Sequence, residues 1–263
     1  MKLKVAGAEL ACEVAGTGPA VLLLHAFPLG LAMWDEQAAA LADGYRVVRF
    51  DCRGFGASPP GDGLLTMERI ADDAVGVLDR LGLSSAAVGG LSMGGYAAFA
   101  LVRRHPQRLR ALVLADTKAG ADSVETRAVR AAQAQQVLRD GTPAIAGAVL
   151  PKLLGATSHR DRPDLVASVR RMIESNPPRG IVDALAGLAA RADSSPTLRE
   201  IQVPCLIVVG DEDEITPVAE AQFLQRGIAG SRLAVVPKAG HLTSMENAAE
   251  FNRQVRSFLD GLR

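Results

Sequence analysis

The stretch Ala86-Ala87-Val88-Gly89-Gly90-Leu91-Ser92-Met93-Gly94-Gly95-Tyr96 decides how the rest of the chain is read. Residues 86–91 form a short apolar run of the kind that makes a strand buried on both faces, and residues 93–104 continue at helical spacing. Between them stands G-x-S-x-G, with no residues left over for a loop. A strand passing straight into a helix here forces Ser92 into strained backbone, and only small neighbours such as Gly90 and Gly94 let strand and helix come so close. In return the hydroxyl stands clear of the sheet at a helix N-terminus, where developing negative charge is favoured. Ser92 is therefore the candidate nucleophile.

Outward from this turn the same alternation repeats. Runs rich in Val, Leu and Ile at residues 3–5, 10–14, 21–25, 47–50, 86–91, 109–115, 205–209 and 233–236 predict eight strands. Helical spacing falls at 34–41, 67–81, 93–104, 218–226 and 246–259. Strand and helix in turn imply a mostly parallel sheet with helices on its faces. The first two runs read as an antiparallel hairpin turning at Ala6-Gly7-Ala8. The alternation stops once: residues 122–194 hold no strand-like run, only helix-period pieces broken by Gly141, Pro143, Gly155, Pro163 and Pro177-Pro178. The expected organisation is an α/β core formed by residues 1–121 and 195–263, with a helical cap at 122–194 inserted after the sixth strand.

Composition narrows the partners. Of 263 residues, 48 % are hydrophobic and 22 % charged, the balance of a chain able to bury a sizeable core. Twenty-nine basic residues match 29 acidic ones, leaving no basic excess for a phosphate backbone, so nucleic acid is not an expected partner. The longest apolar stretches, such as residues 20–24 and 205–209, are far short of the roughly 20 that span a bilayer, so no membrane association is expected. Lys2 and Lys4 precede an apolar stretch that Glu9 interrupts before a signal-peptide core can form. Cys12, Cys52 and Cys205 make an odd set without metal-ligand spacing, which fits small buried hydrophobes in a reducing compartment. The chain is expected to be cytoplasmic and to need no metal or organic cofactor. Between residues 118 and 191 eleven Lys or Arg face seven Asp or Glu, a net +4 balanced by −4 elsewhere. A solvated helix surface accounts for that excess; a basic lid attracting carboxylate-bearing substrates is the sharper reading.

A serine hydroxyl needs a base to take its proton. Of the four histidines, His105 sits at the end of the helix that follows Ser92, His159 lies in a polar part of the cap, and His25 ends a strand. His241 follows Gly240 in the loop after the last strand, where Thr243 and Glu246 have the spacing of a capping box that would start the final helix. It is the candidate base. The base in turn needs an acid to orient it and stabilise its charged form. The seventh strand runs into Gly210-Asp211-Glu212-Asp213-Glu214-Ile215-Thr216-Pro217, with Thr216 placed to cap a helix beginning at Pro217. An acid here completes the chain order Ser, Asp, His, and spacing alone does not separate Asp211 from Asp213.

With these residues assembled, nearly the whole chain resembles the α/β-hydrolase superfamily. His25-Ala26-Phe27-Pro28 looks like its H-G-x-x oxyanion loop, with Ala26 where glycine is usual, and Asp51-Cys52-Arg53-Gly54-Phe55-Gly56-Ala57-Ser58 looks like its D-x-R-G-x-G-x-S turn, read here as a structural loop. The family's G-x-x-D acid loop selects Asp213, and its oxyanion donors fall on the backbone N–H groups of Phe27 and Met93. Within the superfamily the likeness is to carboxylesterases and 3-oxoadipate enol-lactonase-like serine hydrolases. It implies a small ester or lactone substrate cleaved through an acyl-enzyme on Ser92. A perhydrolase-like esterase or a C–C bond hydrolase would use the same three residues, and a non-catalytic ligand-binding role is the reading from another class. Nothing in the sequence indicates an oligomeric state.

Overall fold

The chain opens with a hairpin whose two strands, β1 (Lys2–Val5) and β2 (Ala8–Ala15), meet at a two-residue turn in a computed structural model that describes residues 1–262. Ala6 and Gly7 both take positive φ, the conformation that matches the twist of a tight hairpin, so the turn is one residue shorter than the expected Ala6-Gly7-Ala8. There follow β3 (Ala20–Leu24), α1 (Asp35–Leu41), β4 (Arg46–Phe50), α2 (Met67–Arg80), β5 (Ala86–Leu91), α3 (Met93–Arg104) and β6 (Leu109–Ala115). Five helices then intervene: α4 (Val124–Asp140), α5 (Thr142–Leu153), α6 (Ala156–Asp161), α7 (Pro163–Glu174) and α8 (Pro178–Ala190). The chain returns through β7 (Cys205–Gly210), α9 (Val218–Gly227), β8 (Arg232–Val236), the single turn α10 (Thr243–Glu246) and α11 (Ala248–Asp260).

Among the described residues eight strands form one sheet in the order β1-β2-β4-β3-β5-β6-β7-β8, antiparallel over its first two pairings and parallel from β4 onward. β3 and β5 are buried along their whole length, which is why both read as unbroken apolar runs. Leu22, at the centre of β3, is fully enclosed, and burial of a side chain of that size contributes about 1.5–3 kcal/mol. α3 packs on β3, β5 and β6, and α1 pairs with α11. The order turns back on itself at β3, with β4 on one side and β5 on the other, so a crevice opens at the carboxyl ends of β3 and β5.

The breakers of residues 122–194 sit at helix junctions. Gly141 ends α4 at φ +78°, Pro143 lies in the first turn of α5, Gly155 caps α6, Pro163 starts α7 and Pro178 starts α8. Two expected helix starts differ. The last long helix begins at Ala248, capped by the Asn247 side chain, because Thr243 and Glu246 are engaged elsewhere. Pro217 is the cap of α9, not its first residue, and Thr216 faces inward. All three cysteines are free and buried; burial lifts the Cys12 thiol to about 11 and Cys205 to about 12. Among the described residues no helix is long and apolar enough to cross a membrane.

Candidate functional site

The turn from β5 into α3 holds Ser92 at φ +52°, a left-handed backbone that a β-carbon resists by roughly 1–3 kcal/mol. Three hydrogen bonds hold it there. Its N–H donates to the Ala115 carbonyl (2.9 Å), and its carbonyl accepts from the Thr117 hydroxyl (3.0 Å) and the Tyr96 N–H (3.1 Å). The glycines follow from the crossing: a β-carbon on Gly90 would run into the Gly94 carbonyl, and one on Gly94 into the Leu24 carbonyl.

Ser92, Asp213 and His241 come together from loops after β5, β7 and β8. His241 Nε2 lies 2.8 Å from Ser92 Oγ, and its Nδ1 lies 2.8 Å from Asp213 Oδ2. The carboxylate assigns the ring proton to Nδ1, which leaves the Nε2 lone pair facing the serine hydroxyl. Proton transfer from Oγ to Nε2 then requires no rearrangement. Asp213 is almost wholly enclosed. Burial alone would push its carboxyl up, yet the facing imidazole and four hydrogen-bond donations hold it below the usual carboxylate range. Those donors are His241, the Ile215 and Thr216 N–H groups at 2.8 and 3.0 Å, and the Thr216 hydroxyl at 2.6 Å. Thr216 was expected to cap a helix; its hydroxyl instead fixes the acid.

The other acids of that loop separate clearly. Asp211 is exposed and accepts from the Ala239 N–H across the neighbouring loop at 3.5 Å. Glu212 accepts from the Thr157 N–H and hydroxyl at the start of α6, and Glu214 is exposed. Glu246 turns back to accept from the N–H groups of Gly240, Leu242 and Gly155, so it shapes the His241 loop where a capping role was expected. His105 pairs with Asp72 at 2.7 Å, and His159 is exposed. Neither approaches Ser92.

His25 is fully buried and neutral in its contacts: Nδ1–H donates to the Ala26 carbonyl and Nε2 accepts the Cys52 N–H, both at 3.0 Å. Burial lowers its pKa, consistent with a ring used as a brace. Asp51 ties down the same loop by accepting from the Leu31 N–H (2.7 Å) and the Ala57 N–H (2.9 Å), while Arg53 forks onto Asp73 at 2.7 and 2.6 Å. The D-x-R-G turn is thus a tie between loops. Among the described residues the backbone N–H groups of Phe27 and Met93 have no protein acceptor, and both residues line the space above Ser92.

That space is a cavity of about 420 Å³ whose floor includes Ser92 and His241 and whose far wall comes from α4, α5 and α8. Arg130 on this wall pairs with the enclosed Asp122, which Arg191 also holds at 2.9 Å. Burial would raise the Asp122 carboxyl, but the two guanidinium groups keep it below the usual range. Arg191 also lies 4.1 Å over the Tyr96 ring. Lys118 and Lys152 line the same cavity, and neither has a carboxylate within ion-pair distance among the described residues. A larger surface groove of about 550 Å³ beside Arg199 and Phe223 is lined by Asp193 and Ser195, bonded to each other at 2.7 Å, and by no histidine. Among the described residues no cluster of three or more His, Cys, Asp or Glu could hold a metal ion.

Sequence reasoning missed Asp116, buried among these loops. Its signal was the one that exposed the Asp211–Glu214 group, an acid directly after a strand.

Comparison with known proteins agrees with the geometry. Residues 19–248 match the family model of the alpha/beta hydrolase fold. The chain is 30 % identical to 3-oxoadipate enol-lactonase 2 of Acinetobacter baylyi over 92 % of its own length and 88 % of that protein's. A thermophilic esterase from Thermogutta terrifontis, solved with malate bound, superposes with a TM-score of 0.97 at 40 % identity, covering 100 % of this chain and 99 % of that one. The enol-lactonase from Burkholderia xenovorans LB400 superposes with a TM-score of 0.92 at 32 % identity, over 99 % and 100 % of the two chains. The tight strand-to-helix turn at Ser92, the parallel sheet and the match over most of the sequence place this chain in the α/β-hydrolase family, among hydrolases similar to enol-lactonases and esterases.

Proposed function

We propose that the protein hydrolyses small carboxylic esters or lactones through an acyl-enzyme formed on Ser92. The observation that carries this reading is the unbroken chain from Ser92 Oγ through His241 to Asp213, with Ser92 and His241 on the floor of a cavity beside two unbonded backbone N–H groups. In the first step His241 Nε2 takes the hydroxyl proton as Oγ attacks the carbonyl carbon. The N–H groups of Phe27 and Met93 receive the oxyanion, each donor worth on the order of 3 kcal/mol in the transition state. His241 passes its proton to the leaving alcohol oxygen, and the acyl–oxygen bond breaks. Water, deprotonated by the same nitrogen, then attacks the acyl-enzyme and regenerates Ser92. Throughout, the ionised Asp213 keeps the imidazole in the tautomer that presents Nε2 to the serine. In a lactone the leaving oxygen stays tethered to the acyl group, so one hydroxy acid is released.

A volume of about 420 Å³ lies toward the small end of ligand sites, which favours short acyl chains. Lys118 and Lys152, unpaired on the same cavity, favour an ester or lactone that also bears a carboxylate. The malate in the similar Thermogutta esterase is in keeping with that preference. The test is a panel of p-nitrophenyl esters, neutral lactones and carboxylate-bearing lactones assayed with the purified protein. Turnover of short-chain members with a burst of one alcohol per enzyme is expected. No turnover of any ester or lactone, or a preference for acyl chains of twelve or more carbons, contradicts the reading.

A further inference from the structure

The mechanism makes no use of Asp116, yet this residue bonds two of the three segments that carry the reacting side chains, and its chain neighbours Ala115 and Thr117 hold the third. It follows β6, is fully enclosed, and adopts a left-handed backbone at φ +45° although it is not glycine. Its own N–H donates to the Val208 carbonyl of β7 at 2.9 Å. On either side of it, the Ala115 carbonyl and the Thr117 hydroxyl hold the N–H and carbonyl of Ser92. Its carboxylate spans the remaining two segments. Oδ1 accepts from the Gly210 N–H (3.1 Å), the residue from which the Asp213 loop departs, and Oδ2 accepts from the Thr243 hydroxyl (2.5 Å) and N–H (3.4 Å), two residues beyond His241.

An enclosed carboxylate is an expensive way to build a brace, because burial penalises its charge and the nearby Asp213 adds repulsion; both push the Asp116 carboxyl well above the usual range. The donors explain why no neutral residue serves as well. Gly210 and Thr243 approach from opposite sides, and both donate. An amide in the same place offers one oxygen and one NH₂; with the oxygen kept for Gly210, the NH₂ meets the Thr243 N–H as donor against donor and turns the Thr243 hydroxyl from donor to acceptor.

We propose that Asp116 is a positioning residue for the reaction: through Gly210 on one side and Thr243 on the other it sets the separation of the acid and base loops, and thereby the aim of His241 at Ser92. The inference rests on the reading of Ser92 as the nucleophile. Asp116 touches no reacting atom; it acts through the loop that carries the imidazole. A displacement on the order of 1 Å at a reacting pair is enough to cost about a hundredfold in rate.

Thr243→Val, Thr243→Ser and Asp116→Asn test it, with the rate of Ser92 modification by a fluorophosphonate as readout, since this requires no knowledge of the natural substrate. The saturating rate of modification should fall about 10- to 100-fold in Thr243→Val and in Asp116→Asn, with the half-saturating reagent concentration within about threefold of the parent. Thr243→Ser, which restores the hydroxyl without the methyl group, should regain the rate to within about threefold. The double variant Asp116→Asn/Thr243→Val should be no slower than Asp116→Asn alone, because both changes break one link. If Asp116→Asn does not fold, the Thr243 pair still decides. Wild-type rates in Thr243→Val, or equal losses in Thr243→Val and Thr243→Ser, overturn the proposal alone. A parent protein not labelled at Ser92 removes both this proposal and the nucleophile reading.

Discussion

The loops at the carboxyl edge of the sheet and the helices α4–α8 above them are held in opposite ways. At the sheet edge Ser92, Asp213, Asp116 and His241 are all buried, and each is fixed by hydrogen bonds from two or more directions. The helices bury Ile145, Val169, Ile173, Ile181 and Leu185 in apolar packing, expose Val124 at 76 % and Val129 at 55 %, and add polar or close backbone contacts to the core at a few points. Asn176 accepts from the Gly56 N–H and donates to the Pro28 carbonyl, Gly180 lies against Gly54, and Glu212 and Glu246 reach Thr157 and Gly155. The groups proposed to react thus sit on a scaffold that leaves them almost no freedom, while the wall opposite them is free to differ. Chemistry should be sensitive to small changes at the edge, and selectivity to changes in the helices.

The largest expected effect belongs to the edge. Asp213→Asn should lower kcat by up to about 10⁴, because the imidazole loses the partner that fixes its tautomer. Asp211→Asn, at the exposed neighbour, should stay within about threefold. A steady-state comparison on one ester decides, and a reversed order would transfer the acid's role to Asp211.

A smaller effect is expected from the wall. Lys152→Met, on α5, should raise KM about threefold for a carboxylate-bearing lactone and leave a neutral ester of equal size unchanged, as removing one partner of a partly screened charge pair does. Equal changes for both substrates would break the division between chemistry at the edge and selectivity in the helices.

The two enclosed carboxylates at the edge should also titrate in opposite senses. Asp213, held below its ordinary 3.8, contributes stability that is full above that pH and is lost as pH falls through its lowered value. Asp116, pushed above 3.8, contributes stability that is full below that pH and is lost as pH rises through its raised value. Replacing Asp116 by Asn removes the second penalty, so the Tm deficit of Asp116→Asn relative to the parent should shrink between pH 4 and pH 8. A deficit that grows over that interval contradicts the assignment. The smallest effect on turnover is expected at the start of α4, on the cavity wall. Ser123 caps α4 by accepting the Thr126 N–H, and Ser123→Ala should cost about 0.5–2 kcal/mol in thermal stability with kcat within twofold.

What the sequence disclosed follows the same division. β5 was legible to the residue because a strand buried on both faces has to be apolar throughout, and β6 because its run is apolar on both sides of the one exposed residue, Arg110. The junctions of α4–α8 were legible because Gly141 and Pro163 act on their own backbone. The side chains that shape the site were misread where their partners are distant in the chain. Thr243 and Glu246 have the spacing of a local cap, but Thr243 bonds Asp116, 127 residues away, and Glu246 reaches Gly155. Thr216 was read as a helix cap, and an acid loop seen as spacing alone does not reveal which carboxylate the hydroxyl will face. The net charge of residues 118–191 was countable, but not that Asp122 absorbs two arginines and leaves Lys118 and Lys152 on the cavity.

The claim on which the rest depends is that Ser92 is the nucleophile. Treating the active protein with a fluorophosphonate and mapping the adduct by mass spectrometry tests it most directly, with Ser92→Ala as the control. One adduct per chain on Ser92, formed in step with loss of ester hydrolysis, is the predicted result, and Ser92→Ala should take no label and lose on the order of 10⁶ in kcat. Labelling at another serine, or full activity in unlabelled protein, would contradict it.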